Sequence, residues 1–158
     1  AIAREAARSV RALGFTPRVA LLSYSTFGNP MGERIEKVRE AVALLDADET
    51  VDFEYEGDIA ADIALNPSHR LVYPFSRLTA PANVLVMPAL HSASIVLKLL
   101  DAMGRATVIG PMLLGLKKSV QIASLGATVS DIVTLATIAA YDVDGISAEQ
   151  EESEPAVG

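Results

Sequence analysis

Ser124-Leu-Gly-Ala-Thr-Val-Ser-Asp131 sets a hydroxyl, a glycine turn and then a carboxylate at the start of an apolar run. Hydroxyls and carboxylates are among the groups from which binding and acid–base sites are built. Thr128-Val-Ser-Asp131 is also a capping box, which would use Asp131 to satisfy helix N-terminal amides without any ligand. A helix N-terminus favours the charged form of a carboxylate, so Asp131 in that position is a weaker base. Elsewhere the candidates are sparser. The loop Ser23 to Asn29 offers hydroxyls and backbone amides to an anion, although turn formation explains its Gly and Pro equally well. His91 could face a crevice or simply cap a helix, and Lys117 with Lys118 could meet phosphates or water. His69 lies in an irregular polar stretch and receives no role. Neither histidine belongs to a recognisable catalytic triad.

The elements that must position these residues alternate. Residues 2–13 place Ile2, Ala6, Val10 and Leu13 at helical spacing, with Gly14 as the stop. Arg18 to Tyr24 has an uninterrupted Val-Ala-Leu-Leu run, the mark of a strand buried on both faces. A second helix follows with Ile35, Val38, Val42 and Leu45 inward and the charges of Glu33 to Glu40 outward. Val51 to Tyr55 reads as a strand near a sheet edge, and Asp58 to Leu65 as a short helix ended by Asn66-Pro67. Asn83 to Met87 is a third strand stopped by Pro88, and the next helix carries Ile95, Leu99, Leu100 and Met103 up to Gly104. Ala106 to Ile109 and Ser119 to Ala123 complete the strands, and Val129 to Tyr141 forms a last helix apolar almost all round. Such a helix must be buried on most sides. The rhythm predicts an α/β fold with a parallel sheet, helices on both faces, and ligands beyond the carboxyl ends of the strands. The loops after Tyr24, Met87, Ile109 and Ala123 are therefore the places for a site.

The 158 residues suffice for one domain with a substantial core. No run approaches the roughly 20 apolar residues of a membrane span. Zero cysteines exclude disulfides and thiolate metal sites, and fit the cytoplasm. Of the 20 acidic residues six lie in 142–158, which has no Lys or Arg, so 14 acidic face 13 basic residues in the remainder. That balance argues against nucleic acid. The segment 142–158 has the composition of a disordered acidic tail. Ala1 to Arg8 begins inside a helical pattern without an initiator Met, as a fragment would, and is no signal peptide. There is no Gly-x-Gly-x-x-Gly and no metal-carboxylate cluster.

Several stretches in order and spacing resemble the phosphate acetyltransferases over roughly residues 1–141. These are Arg18-Val-Ala-Leu-Leu-Ser-Tyr-Ser-Thr26, Glu56-Gly57-Asp58 with Asp62, Pro81 to Pro88, Gly110-Pro111-Met-Leu-Leu-Gly115-Leu-Lys117, and Ser124 to Asp131. Leu90-His91-Ser92-Ala93, Val120-Gln121-Ile122 and Gly126 to Asp131 resemble more finely the phosphate acetyltransferase-like domain at the C-terminus of large bacterial NADP-dependent malic enzymes. The resemblance implies a three-layer α/β sandwich with a mainly parallel sheet, of isocitrate/isopropylmalate dehydrogenase-like architecture. Residues 1–141 would form mainly its second subdomain, with the helix 128–141 returning to the first.

In active members a Ser-Arg-Gly turn and a helical Asp serve the reaction, the Asp deprotonating the coenzyme A thiol. Ser124 and Asp131 match, but Leu125 stands where the arginine belongs, and leucine cannot neutralise a reacting acyl phosphate. The resemblance thus implies relic catalytic positions at Ser124, Leu125 and Asp131 in a domain inactive as an acyltransferase. Ligand contacts are implied at Ser124, Leu125, Gly126 and Asp131, and also at Ser25, Thr26, His91, Gly110 and Lys117. The expected role is sensing acetyl-CoA or CoA and allosterically restraining malate decarboxylation. NADP and a divalent metal would belong to N-terminal domains of the same polypeptide. A homo-oligomer, at least a dimer, is expected. Two alternatives stay open: a working phosphate acetyltransferase, and a purely structural dimerisation domain.

Overall fold

The computed structural model describes residues 1–104, 107–116 and 118–153, and the chain divides into two compact units, Ala1–Lys98 and Leu99–Gly158. In the first unit three strands form a parallel sheet in the order β2-β1-β3, with β1 at Arg18–Leu22, β2 at Glu54–Ile59 and β3 at Val84–Val86. Leu22 pairs with Ile59, Ala20 with Leu85 and Leu21 with Val86, so β1 is fully paired.

Burial on both faces of β1 follows the period-2 alternation of a strand. Val19 and Leu21 point to one side, where they meet Ala3 and Ala7 of α1 (Ile2–Ala12) and Val38, Val42 and Leu45 of α2 (Glu33–Asp46). Ala20 and Leu22 point to the other, against Ile59, Ala64 of α3 (Ala61–Ala64), Leu78 and Ala82. The sheet is thus covered on both faces, as the alternation of elements predicts.

The details depart from the sequence reading in instructive places. Helix α1 ends as expected, with Gly14 at φ +85 while the Phe15 and Gly14 amides donate to the carbonyls of Val10 and Arg11, a Schellman motif. Its inward face, however, is rotated: Ala3 and Ala7 are buried, whereas Ile2 and Leu13 are exposed. Alanines allow the helix backbone to approach the sheet closely, and that closeness decides the face. Strand β2 starts three residues later than expected and runs through the segment read as the beginning of a helix; α3 is correspondingly short. The reason is that Glu56 and Asp58 are buried and paired, which a rule sending acids outward cannot anticipate. Part of the stretch read as irregular forms α4 (His69–Val72), in which His69 is buried with Nδ1 2.9 Å from the Asn66 carbonyl.

Helix α5 (Leu90–Ala102) follows β3 after Pro88 and closes at Gly104, φ +62. None of its residues is buried, and Ile95, Leu99 and Leu100 are about half exposed. In the second unit the strand expected at 106–109 is absent from its described residues 107–109, and Ala106 itself lies outside the described residues. Only an isolated antiparallel bridge, Met112 with Gln121, marks the segment expected to end in a fifth strand. A short apolar run adopts strand only when a neighbour supplies a ladder, and among the described residues of this segment the pairing is confined to that bridge. Helix α6 runs Val129–Ser153, past the expected end at Tyr141, since Ala, Glu and Gln sustain a helix. Leu135 is buried, whereas Val129, Ile132 and Val133 are exposed, so within this chain the helix lacks part of the cover that its apolar sequence demands. Among the described residues no helix is long and apolar enough to cross a membrane.

Candidate functional site

The loop leaving the carboxyl end of β1 is bound along its length to the end of β2. The Ser23 amide donates to the Ile59 carbonyl at 3.0 Å, the Phe27 amide to the Asp58 carbonyl at 2.8 Å and the Gly28 amide to Asp58 Oδ2 at 3.1 Å. Thr26 Oγ1 in turn accepts the Ala60 amide at 3.0 Å. Phe27 is held at φ +50, a conformation that a bulky residue adopts only under external constraint. Its ring packs on Tyr73 and Phe75, with centroids 5.1 and 4.8 Å apart.

Asp58 is the centre of this arrangement. Its carboxylate is 2 % exposed, and Arg39 Nε of α2 donates to Oδ1 at 3.4 Å. Burial acts to raise its pKa, but the Ser25 hydroxyl, the Gly28 and Asp58 amides and the Arg39 guanidinium outweigh burial and hold it below the ordinary aspartate value. The Ser25 hydroxyl faces this carboxylate without a partner in strict hydrogen-bond geometry, and the residue is fully buried. Ser25 and Thr26 both shape this loop from within. Glu56 is satisfied similarly, its carboxylate accepting the Arg77 amide at 2.8 Å and the Gly57 amide at 3.2 Å. The Arg77 side chain bonds Asp46 and lies over the Tyr55 ring at 5.2 Å; with Tyr55 it holds the Asp46 carboxyl below its usual range.

Between the carboxyl ends of β1 and β3 lies a cleft of about 550 Å³. Leu21, Leu22, Val38, Val86, Met87 and Pro88 supply apolar wall, and Ser23, Tyr24, Lys37 and Ser92 supply the polar groups. This is where a parallel sheet is expected to take a ligand. His91 is exposed in the first turn of α5 and is not part of the wall. Sequence reasoning assigned Lys37 and Arg39 to a solvated helix face. Their roles depend on β2 and β3, far away in the chain, and no local signal marks them.

In the second unit, Ser124, Leu125 and Gly126 form an exposed turn closed by the Ala127 amide donating to the Ser124 carbonyl at 3.1 Å. Leu125 is fully exposed. The capping box at α6 is present: Asp131 Oδ2 accepts both the Thr128 amide and its hydroxyl at 2.8 Å, and the Asp131 amide donates to Thr128 Oγ1 at 3.2 Å. The Thr128 amide, then the hydroxyl, hold the Asp131 carboxyl below its ordinary value. Gly110, at φ +126, starts the turn into Pro111, and Lys117 lies outside the described residues. Among the described residues no group of three or more His, Asp or Glu is placed to share a metal ion.

A parallel sheet with helices on both faces, and the serine–glycine turn before a capped helix, define the class. The chain belongs to the phosphate acetyl/butaryl transferase family, whose model matches residues 1–140. In particular, it is similar to the NADP-dependent malic enzyme of Rhizobium meliloti (strain 1021), 62% identical over 141 residues, 89% of this chain and 18% of that protein. It is also 41% identical over 150 residues to the probable NADP-dependent malic enzyme of Rickettsia prowazekii (strain Madrid E), with 89% of this chain and 20% of that protein covered. Among solved structures it is similar to the EutD phosphotransacetylase from Staphylococcus aureus, with a TM-score of 0.81 and 33% identity, covering 89% of this chain and 44% of that one. The chain thus spans about a fifth of the length of the malic enzymes it matches. The resemblance carried by the five stretches holds for family and fold.

Proposed function

We propose that the chain is the phosphate acetyltransferase-like domain of a cytoplasmic NADP-dependent malic enzyme. In this reading it senses acetyl-CoA and restrains the oxidative decarboxylation of malate to pyruvate by the rest of the polypeptide. The observation that carries the reading is Leu125, fully exposed between Ser124 and Gly126. At that place a transferase requires a cation to stabilise developing charge, and a side chain of this kind can only pack. Asp131 supports the same conclusion, because its carboxylate is engaged by Thr128 and is a poor proton acceptor. A site that binds without reacting fits both. NADP and a divalent metal would be held by the N-terminal domains, outside this chain. Restraint requires that acetyl-CoA prefer one quaternary state, and malate must then shift acetyl-CoA affinity reciprocally.

Calorimetry on the whole protein is expected to show saturable acetyl-CoA binding, with no acetyl phosphate formed from acetyl-CoA and phosphate. Leu125→Arg should leave the affinity within about tenfold, a shift of about 1.4 kcal/mol. No heat at millimolar acetyl-CoA overturns the sensing role, and measurable turnover would restore the transferase.

A dimerisation role is a second reading, favoured by the apolar residues that α6 leaves exposed, with Val129 at 79% and Ile132 and Val133 above half. Contiguous apolar surface of this kind marks an interface. Light scattering should return at least a dimer, and a clean monomer would remove this reading.

A further inference from the structure

The cleft between β1 and β3 differs chemically from another large depression in the first unit. That depression, about 630 Å³, lies at the amino ends of the strands between Arg11, Phe15 and Phe53, and its arginine is already paired with Asp52 at 3.1 Å. In the cleft, Lys37 is the cation among the described lining residues, and it has no ion-pair partner among the described residues. The apolar lining is Leu21, Leu22, Val38, Val86 and Met87; Ser23, Tyr24 and Ser92 also line the cleft, and the Ser92 hydroxyl already donates to the Ala89 carbonyl at 3.2 Å.

We infer that this cleft binds a medium-chain monocarboxylate, its head on Lys37 and its chain along the apolar wall. One cation compensates one negative charge. A second carboxylate would be set against leucine, valine and methionine without a partner, which disfavours dicarboxylates. A cleft of this volume accommodates a chain of several carbons, and each buried methylene should raise affinity about fourfold, so affinity should rise with chain length. Of the ligand contacts that the family resemblance implies, Ser25, Thr26 and His91 do not line this cleft, and Lys37 is not among them.

Saturation-transfer NMR on the whole protein tests this with octanoate, butyrate, succinate and inorganic phosphate as probes. Octanoate is expected to bind saturably and more tightly than butyrate, with no signal from succinate and no competition from phosphate. Lys37→Met should weaken octanoate at least tenfold while calorimetric acetyl-CoA binding stays unchanged. Lys37 is exposed on α2, so this variant keeps the fold. Ala89→Phe, which fills the cleft from another exposed position, should have the same effect. Octanoate binding that survives both variants, or is absent in the parent protein, overturns the inference. So would a matching loss of acetyl-CoA affinity in Lys37→Met, which would assign the lysine to the acetyl-CoA site; failure of acetyl-CoA to bind at all leaves the octanoate result standing.

Discussion

Ile59→Ala is expected to destabilise the protein by about 3 kcal/mol, the usual cost of truncating a fully buried aliphatic side chain and leaving a cavity. Ile59 is wholly buried at the end of β2, packed with Ala20, Leu22, Ala64, Leu78 and Ala82. These neighbours belong to a strand on one side and to backbone-anchored segments on the other, so they cannot easily collapse into the void. The Ile59 carbonyl also receives the Ser23 amide, which ties the first residue of the loop to the same position. Urea unfolding would register the loss as a midpoint lowered by at least about 1 M, given slopes of about 1–3 kcal/mol per molar. A shift under 0.3 M, at unchanged slope, would mean that the second core cluster contributes little to this fold.

Asp58→Asn is expected to cost about 2 kcal/mol at neutral pH, the penalty for weakening a charge-assisted, buried hydrogen-bond set. The Arg39 partner is 45% exposed and so is partly screened, which keeps the figure below that of a fully buried ion pair. The effect also has a pH signature. In the folded protein the Asp58 carboxyl sits below the ordinary aspartate value of about 4, at which it titrates once the chain is unfolded. The folded state therefore binds fewer protons across that interval, and the carboxylate stabilises fully above pH 4. Its contribution is lost as pH falls from 4 through the lowered folded value. Stability of parent and variant measured from pH 7 to pH 3 should differ most at neutral pH and converge in acid. A gap that is constant with pH would show that Asp58 acts by shape and not by charge.

What could be read from the chain, and what could not, divides along the range of the interactions involved. Val19 to Leu22 announces a strand covered on both sides because four consecutive apolar residues leave no solvent face. Thr128 and Asp131 announce a capping box because the partners are three residues apart and the geometry is local. Asp58 behaves oppositely. It meets Gly28 thirty positions away and Arg39 nineteen away, and its burial becomes acceptable only through those contacts. A pattern rule applied to Glu56 and Asp58 in isolation sends them to water and so misplaces β2. The rotated face of α1 has a similar origin, since residue hydropathy favours Ile2 over Ala3, whereas helix-to-sheet distance favours the smaller side chain. Likewise the exposed α5 and α6 show that an apolar sequence demands cover without stating which surface provides it.

The central position of β1 has a consequence for how this protein can be watched in solution. Because β1 is paired on both edges, its amides can exchange with deuterated solvent only when the sheet itself opens, whereas β2 and β3 each have one outer edge in the three-stranded sheet. The loop at Ser23 to Asn29 and the cleft both begin at the last residues of this strand. Residues 19–21 thus form an internal clock for the first unit. Slowed isotope uptake at Ser23 to Gly28 with an unchanged clock reports a local event at the strand ends, and slowing of both together reports stabilisation of the whole unit.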